Sequence, residues 1–268
     1  MDIKRVTSAL LGFPLVILVL LLGNKYVIDV VMAIVAIISL QEYFNAFHEY
    51  KPVKWIGYLS AILISCIHLI PPINLFTYIG LSIPVIIVAL FIELVIKDLK
   101  INIIDIAITL FGIFYVVIFT MFVPLLAGGE NGKILIWYAI LAAWGSDTIA
   151  YLVGKTFKLG KHKFSKVSPN KSIEGCIAGL AGAIILSLIF TLCMDKFSEF
   201  EISYIKVLIV SAILGIIGQF GDFAASSIKR FTGIKDFSNL IPGHGGLLDR
   251  IDSLIFIAPF AYILLVLI

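Results

Sequence analysis

The chain has 268 residues, 61% of them hydrophobic and only 14% charged, with a net charge of +3 and a mean hydropathy of +1.11. Soluble domains carry about a quarter of their residues as charges, so this composition excludes an ordinary water-soluble protein and marks an integral membrane one. The small positive excess gives no argument for nucleic acid, and Cys66, Cys176 and Cys193 stand singly, without disulfide-framework or zinc-ligand spacing.

A helix that crosses a hydrocarbon core about 30 Å thick needs roughly 20 apolar residues. In chain order that length marks nine spans, at 6–23, 26–44, 55–70, 78–96, 103–127, 134–153, 174–194, 204–227 and 251–268. The third is short, and only Gly23, Asn24 and Lys25 separate the first two. The runs are continuously apolar rather than alternating, so the expected class is an all-α, polytopic membrane protein and not a barrel. Lys4-Arg5 ahead of an apolar run also fits a signal peptide, but no small-x-small site precedes Tyr26, and the run is read as the first span. Nothing divides the chain, so one membrane domain over 1–268 is expected, with N-terminal spans to 133 and, from 134, spans that carry the polar loops.

Lysine and arginine orient it. With the N-terminus inside, Lys4, Arg5, Lys51, Lys54, Lys97, Lys100, the lysines from Lys155 to Lys171, Lys229, Arg230, Lys235 and Arg250 face the cytoplasm. Only Lys25, Lys133, Lys196 and Lys206 fall outside. The expected location is the plasma or inner cell membrane. Asp29, Glu93 and Asp105 sit near span ends, where water can solvate them, and His68 reads as a satisfied packing histidine.

Three polar clusters flank the two long cytoplasmic connections. The first, Trp144 to Lys155, places Asp147 about two turns inside the end of a span, where a carboxylate costs roughly 2.5–3.5 kcal/mol and so faces a polar cavity or a cation. In the second, Ser168-Pro169-Asn170-Lys171-Ser172-Ile173-Glu174-Gly175, hydroxyls, a lysine and free amides open a helix. Such a terminus cradles phosphate, though capping by Ser172 or Asn170 explains it equally. The third begins at Gly218-Gln219-Phe220-Gly221-Asp222; in it Asp222, Ser226 and Lys229 share a helical face, and Arg230 and Lys235 precede the turn Pro242-Gly243-His244-Gly245-Gly246. Asp249 and Asp252 follow, three residues apart. Hard carboxylate ligands beside a basic loop suit Mg²⁺ together with phosphates; a second cation is left open.

The third cluster resembles the signature of the phosphatidate cytidylyltransferase (CDP-diacylglycerol synthase) family from Ser226, Lys229 and Arg230 through Lys235-Asp236 and the Pro-Gly-His-Gly-Gly turn to Asp249-Arg250 and Asp252. Ser168 to Gly175 is similar to the family's Ser-Pro-Lys-Lys-Thr-x-Glu-Gly, departing at Asn170 and Ser172, and Asp147 to Lys155 resembles its Asp-x-x-Ala-Tyr-x-x-Gly-Lys/Arg segment. The resemblance covers roughly 144–252. It implies cytidylyl transfer from CTP to phosphatidic acid, in phospholipid biosynthesis, by a homodimer embedded in membrane lipid. The expected roles are metal binding by Asp222, Asp249 and Asp252, and phosphate neutralisation by Lys171, Lys229 and Arg230. Ser168 and Ser226 would donate hydrogen bonds, and Asp147 and Arg250 join the substrate set. Gly243, Gly245 and Gly246 would let backbone amides approach a phosphate, although a tight turn needs them equally. His244 can act as an acid for the leaving group, a phosphate contact or a turn anchor; phosphate contact is the reading taken.

The alternatives are another CDP-lipid enzyme, whose Asp-Gly-x-x-Ala-Arg pattern is absent, and a cation-coupled transporter, for which charges should lie at depth rather than crowd one face.

Overall fold

The computed structural model describes residues 14, 16–98, 100–156, 167–168 and 171–267. Part of the first expected span (6–13 and 15), Lys158, Lys161, Lys163 and Lys166, and Pro169 and Asn170 lie outside the described residues. The chain runs through α1 (16–22), α2 (Lys25–Ala46) and α3 (Lys54–Ile62), which tightens into a 3-10 stretch, Leu63–Leu69. Then come α4 (Pro72–Ile96) and α5 (Ile103–Gly112), which passes through a π segment, Ile113–Ile118, into α6 (Phe119–Gly128). The remaining helices are α7 (Gly132–Thr156), α8 (Ile173–Phe197), α9 (Tyr204–Phe231) and α10 (Leu248–Tyr262), the last ending in a π segment, Ile263–Leu267.

The protein is helical throughout, with no strand among the described residues. Seven of the described helical stretches are long and apolar enough to cross a membrane, and they match the expected spans except the first and third. The third is shorter, Lys54–Leu69. Its physical stop is Pro71: the residue before a proline is driven out of the α region, and Ile70 is extended with ψ 130°. Two compact units divide the chain, Met1–Gly128 with Asp236–Arg250, and Gly129–Lys235 with Ile251–Ile268. The boundary therefore falls within the first turn of α10.

In the first unit α2 is the central helix, packed by α3, the 3-10 stretch, α6 and the π segment. Its Leu40, Tyr43 and Phe44 are buried, and two glycines on neighbouring helices admit them: a Cβ would stand 2.8 Å from Leu40 at Gly57 and 2.7 Å from Tyr43 at Gly112. The Tyr43 hydroxyl donates to the Ile108 carbonyl at 3.2 Å.

Two carboxylates expected in water are instead interior. Asp29 and Asp105 are 0% and 2% exposed. Burial without partners would be costly, and both have partners. Asp29 Oδ1 lies 2.6 Å from His68 Nδ1, which satisfies the histidine at the same time. Asp105 completes a capping box with Asn102 at the start of α5, and its Oδ1 also accepts the Lys51 amide at 2.7 Å. Beside it, Thr109 Oγ1 accepts the Val53 amide at 2.8 Å, so α5 ties down the α2–α3 connection. Glu93, by contrast, pairs along its own helix with Lys97 at 3.6 Å.

In the second unit α7, α8 and α9 pack against one another. The α7–α8 approach is close enough that a Cβ on Gly182 would stand 2.5 Å from the Gly145 carbonyl oxygen. Small residues permit such contact between membrane helices. Helix α10 meets α9 in the same manner, a Cβ on Gly221 falling 2.7 Å from the Asp252 carbonyl oxygen.

Replacing Asp105 by Ala removes half of the capping box and the acceptor for Lys51. The expected loss is about 1–3 kcal/mol of stability in detergent, read from thermal unfolding of the helical signal, and Asp105→Asn should lose less.

Candidate functional site

The expected site residues fall in both units. In the second, a cavity of about 430 Å³ opens between α7, α8 and α9. It is lined by Ser146, Asp147, Tyr151, Lys155, Lys171 and Gln219 among others, so residues from three separate sequence clusters border one space. Lys171 is the central cation. It forms an ion pair with Asp222 and lies 4.9 Å from the centre of the Phe223 ring, so an acidic and an aromatic partner both hold its ammonium. The pair is about one quarter exposed, which leaves the charges reachable from the cavity side.

Local sequence explains why Lys171 stands there. Ser172 caps α8, accepting the Gly175 amide at 3.1 Å, and Lys171 precedes that cap. The capping explanation of Ser172 is therefore realised, and the helix start that it creates projects toward the cavity lining. Ser168 accepts the Lys171 amide through its carbonyl at 3.1 Å, closing the turn ahead of the cap.

Gln219 stands at the opening of the third cluster, but no role was expected of it. Its Nε2 donates to Ser146 Oγ at 3.2 Å and to the Cys176 carbonyl at 2.9 Å, which pins α7, α8 and α9 together at the cavity floor. Its place three residues before Asp222 on α9 was the available signal.

On α9, Ser226 Oγ donates to Asp222 Oδ1 at 3.4 Å, so Asp222, Ser226 and Lys171 form one polar group. Arg230 is exposed, and its Nε donates to the Val167 carbonyl at 3.4 Å. Asp252 is 8% exposed, accepts the Ser253 amide at 2.7 Å, and lies within electrostatic reach of Asp222, Asp147 and Lys229. Asp147 itself is exposed at the cavity edge.

Among the described residues, no three His, Cys, Asp or Glu side chains form a group that could hold a metal ion. Asp222 and Asp252, within electrostatic reach of one another, nevertheless offer hard oxygen donors. That donor set suits Mg²⁺, which usually takes one or two carboxylates and completes its shell with water and substrate phosphate.

The first unit holds the loop Asp236–Arg250 with His244, the glycines, Asp249 and Arg250. Its turn is closed by Ile241 N–H to the Gly245 carbonyl at 2.8 Å and His244 N–H to the Ile241 carbonyl at 2.9 Å. Gly243 and Gly245 have φ of 78° and 86°, a region that side chains avoid. Gly246 does not share that conformation; its glycine is required by space, because a Cβ would stand 2.6 Å from Glu42 Oε2. Nor is its amide available to a phosphate, since it donates to Asp249 Oδ2 at 3.0 Å. The same oxygen accepts the Phe237 amide at 2.8 Å. Asp249 thus organises the loop, a role its place in the motif did not reveal. His244 is half-buried within the turn, and Arg250 is exposed.

A family model described as the cytidylyltransferase family matches residues 3–268. The phosphatidate cytidylyltransferase of Bacillus subtilis is 40% identical over 161 residues, 60% of this chain and 58% of that protein. The Staphylococcus haemolyticus protein of the same name is 43% identical over 163 residues, 60% of each chain. These two alignments thus span less than two thirds of the relatives' length. The Staphylococcus aureus phosphatidate cytidylyltransferase is 36% identical over 270 residues, 98% of both chains.

Two glycines of the second unit separate packing from propensity. Gly182→Ala should lower stability by about 1–3 kcal/mol, because its Cβ meets backbone across the α7–α8 contact. Gly154→Ala, with nothing within 4 Å, should be neutral or stabilising by up to about 1 kcal/mol in thermal unfolding.

Proposed function

The chain belongs to the cytidylyltransferase family, and from that premise we propose that it makes CDP-diacylglycerol and pyrophosphate from CTP and phosphatidic acid. The observation that carries the reading is the Lys171–Asp222 pair on a cavity bordered by three separate motif segments. An anion-binding lysine, a carboxylate and a capped helix start bordering one space are what a nucleoside triphosphate at a membrane surface requires.

The reaction is an in-line displacement. An oxygen of the phosphatidate phosphate forms a bond to the α-phosphorus of CTP, while the bond from that phosphorus to the bridging oxygen breaks and pyrophosphate leaves with the electron pair. Both reactants are anions, so the protein's task is alignment and charge cancellation rather than proton removal. Lys171 and Lys229 neutralise triphosphate oxygens, and Arg230 receives phosphate at the rim. Ser226 and Ser168 donate hydrogen bonds and Asp147 bounds the substrate site, while the substrate role of Arg250 and the phosphate contact of His244 rest on the resemblance alone. When phosphate arrives, Lys171 exchanges its bond to Asp222 for one to the substrate, which frees Asp222 to serve as a ligand. Asp222 and Asp252 would hold Mg²⁺, which would screen the triphosphate and polarise the phosphorus. The assignment of Asp249 to the metal rests on the resemblance alone, because its Oδ2 already accepts two amides.

The reading also includes nine spans with a cytoplasmic N-terminus, a plasma or inner membrane location, a cytoplasmic site and a homodimer. Lysine asymmetry supports the orientation, and CTP is a cytosolic metabolite.

Purified protein in liposomes should move radiolabel from CTP into the lipid fraction, and chelation should stop it. Lys171→Ala should lower kcat/KM on the order of 10²-fold or more, and Asp222→Asn at least as much. Label that stays in the aqueous phase with wild-type protein, lipid and Mg²⁺ present would falsify the proposal. For orientation, a His244→Cys thiol in intact cells should react with a permeant maleimide and not with an impermeant one; labelling from outside contradicts the cytoplasmic site.

A further inference from the structure

Glu42 belongs to α2, in the half of the chain that carries no motif, and is 4% exposed. A carboxylate there needs a reason. Its partners are about two hundred residues away in sequence. Oε1 accepts the Ser238 hydroxyl at 2.6 Å and the Leu247 amide at 2.9 Å, and Oε2 accepts the Leu248 amide at 2.7 Å. These two amides open α10, where a helix has donors without partners of its own. The flat carboxylate also lies against Gly246, where a Cβ would come within 2.6 Å of Oε2 and 2.8 Å of Oε1. Glu42 and all its partners lie in the first unit.

We propose that Glu42 is a positioning residue for the reaction: with Asp249 it holds the start of α10 and the Pro242–Gly246 turn in the register at which His244 acts. The inference rests on the cytidylyl-transfer reading above. Asp249 grips the loop at Phe237 and Gly246, and Glu42 grips it at Ser238, Leu247 and Leu248. Two carboxylates hold adjoining amides, so neither can substitute for the other. Glutamine is no equivalent, since it offers one acceptor oxygen and turns an amide N–H₂ toward a backbone donor. Gly246 is a glycine because Glu42 occupies the space of its side chain.

The test is a set of four variants, E42Q, G246A, E42D and the double E42D/G246A, assayed for kcat, KM and amide hydrogen exchange. E42Q and G246A should each lower kcat on the order of 10²-fold, the scale expected when catalytic groups shift by about 1 Å. KM for CTP should stay within about threefold, because Glu42 touches no residue of the cavity assigned to the nucleotide. Aspartate withdraws the carboxylate by about one bond length, roughly 1.5 Å, and makes room for a methyl at position 246. E42D/G246A should therefore recover several-fold over G246A alone, which a generally destabilised protein would not do. In E42Q the Leu247 and Leu248 amides should exchange faster while those of α7–α9 keep their rates. If E42Q does not fold, the recovery of G246A by E42D decides. An active wild type in which E42Q keeps its kcat, or in which the double variant is no better than G246A, overturns the positioning role. An inactive wild type with faster exchange in E42Q overturns the reaction and leaves the grip standing.

Discussion

The first amides of a helix have no acceptors within it, and where the helix start is buried those acceptors must come from side chains. Helix α10 begins at Leu248, which is 0% exposed, directly after a five-residue turn with two glycines in left-handed conformation. Glu42 accepts the Leu247 and Leu248 amides at that start together with the Ser238 hydroxyl, and Asp249 accepts the Phe237 and Gly246 amides of the loop before it. Without them the segment would be a solvent-seeking loop beside a membrane span. With them the buried amides of this segment have acceptors.

The second unit meets the same constraint differently. Its polar groups are drawn together by close helix contact, made possible where Gly145, Gly182 and Gly221 let backbones touch. Gln219 bridges three helices at the point of contact, and Lys171, Asp222 and Ser226 share their charges and hydrogen bonds around the cavity. Each interaction is individually modest. Together they give these polar side chains partners where three helices meet.

The N-terminal spans acquire a purpose from this. By sequence they are a hydrophobic block, matched to the signature only in being apolar. In the fold, α2 is the central helix of its unit and carries the carboxylate that holds the signature loop. The carboxylates Asp29 and Asp105 serve the same block structurally, one paired with His68 and the other capping α5.

Membrane class, most of the spans and the polar clusters are legible in the chain alone, because hydropathy and local spacing are properties of contiguous residues. Continuous apolar runs can only be helices in lipid, and Asp147, Lys171, Asp222 and Asp249 stand out because charge is rare around them. What a charge touches is a different kind of fact. Nothing near Glu42 in sequence distinguishes it from a solvated residue at a span end, and the same expectation failed for Asp29 and Asp105. Their partners lie tens to hundreds of residues away, and pairing at that range is set by how helices pack. The three glycines of the turn make the same point: local conformation explains Gly243 and Gly245, whereas Gly246 is explained only by a carboxylate that folding brings against it.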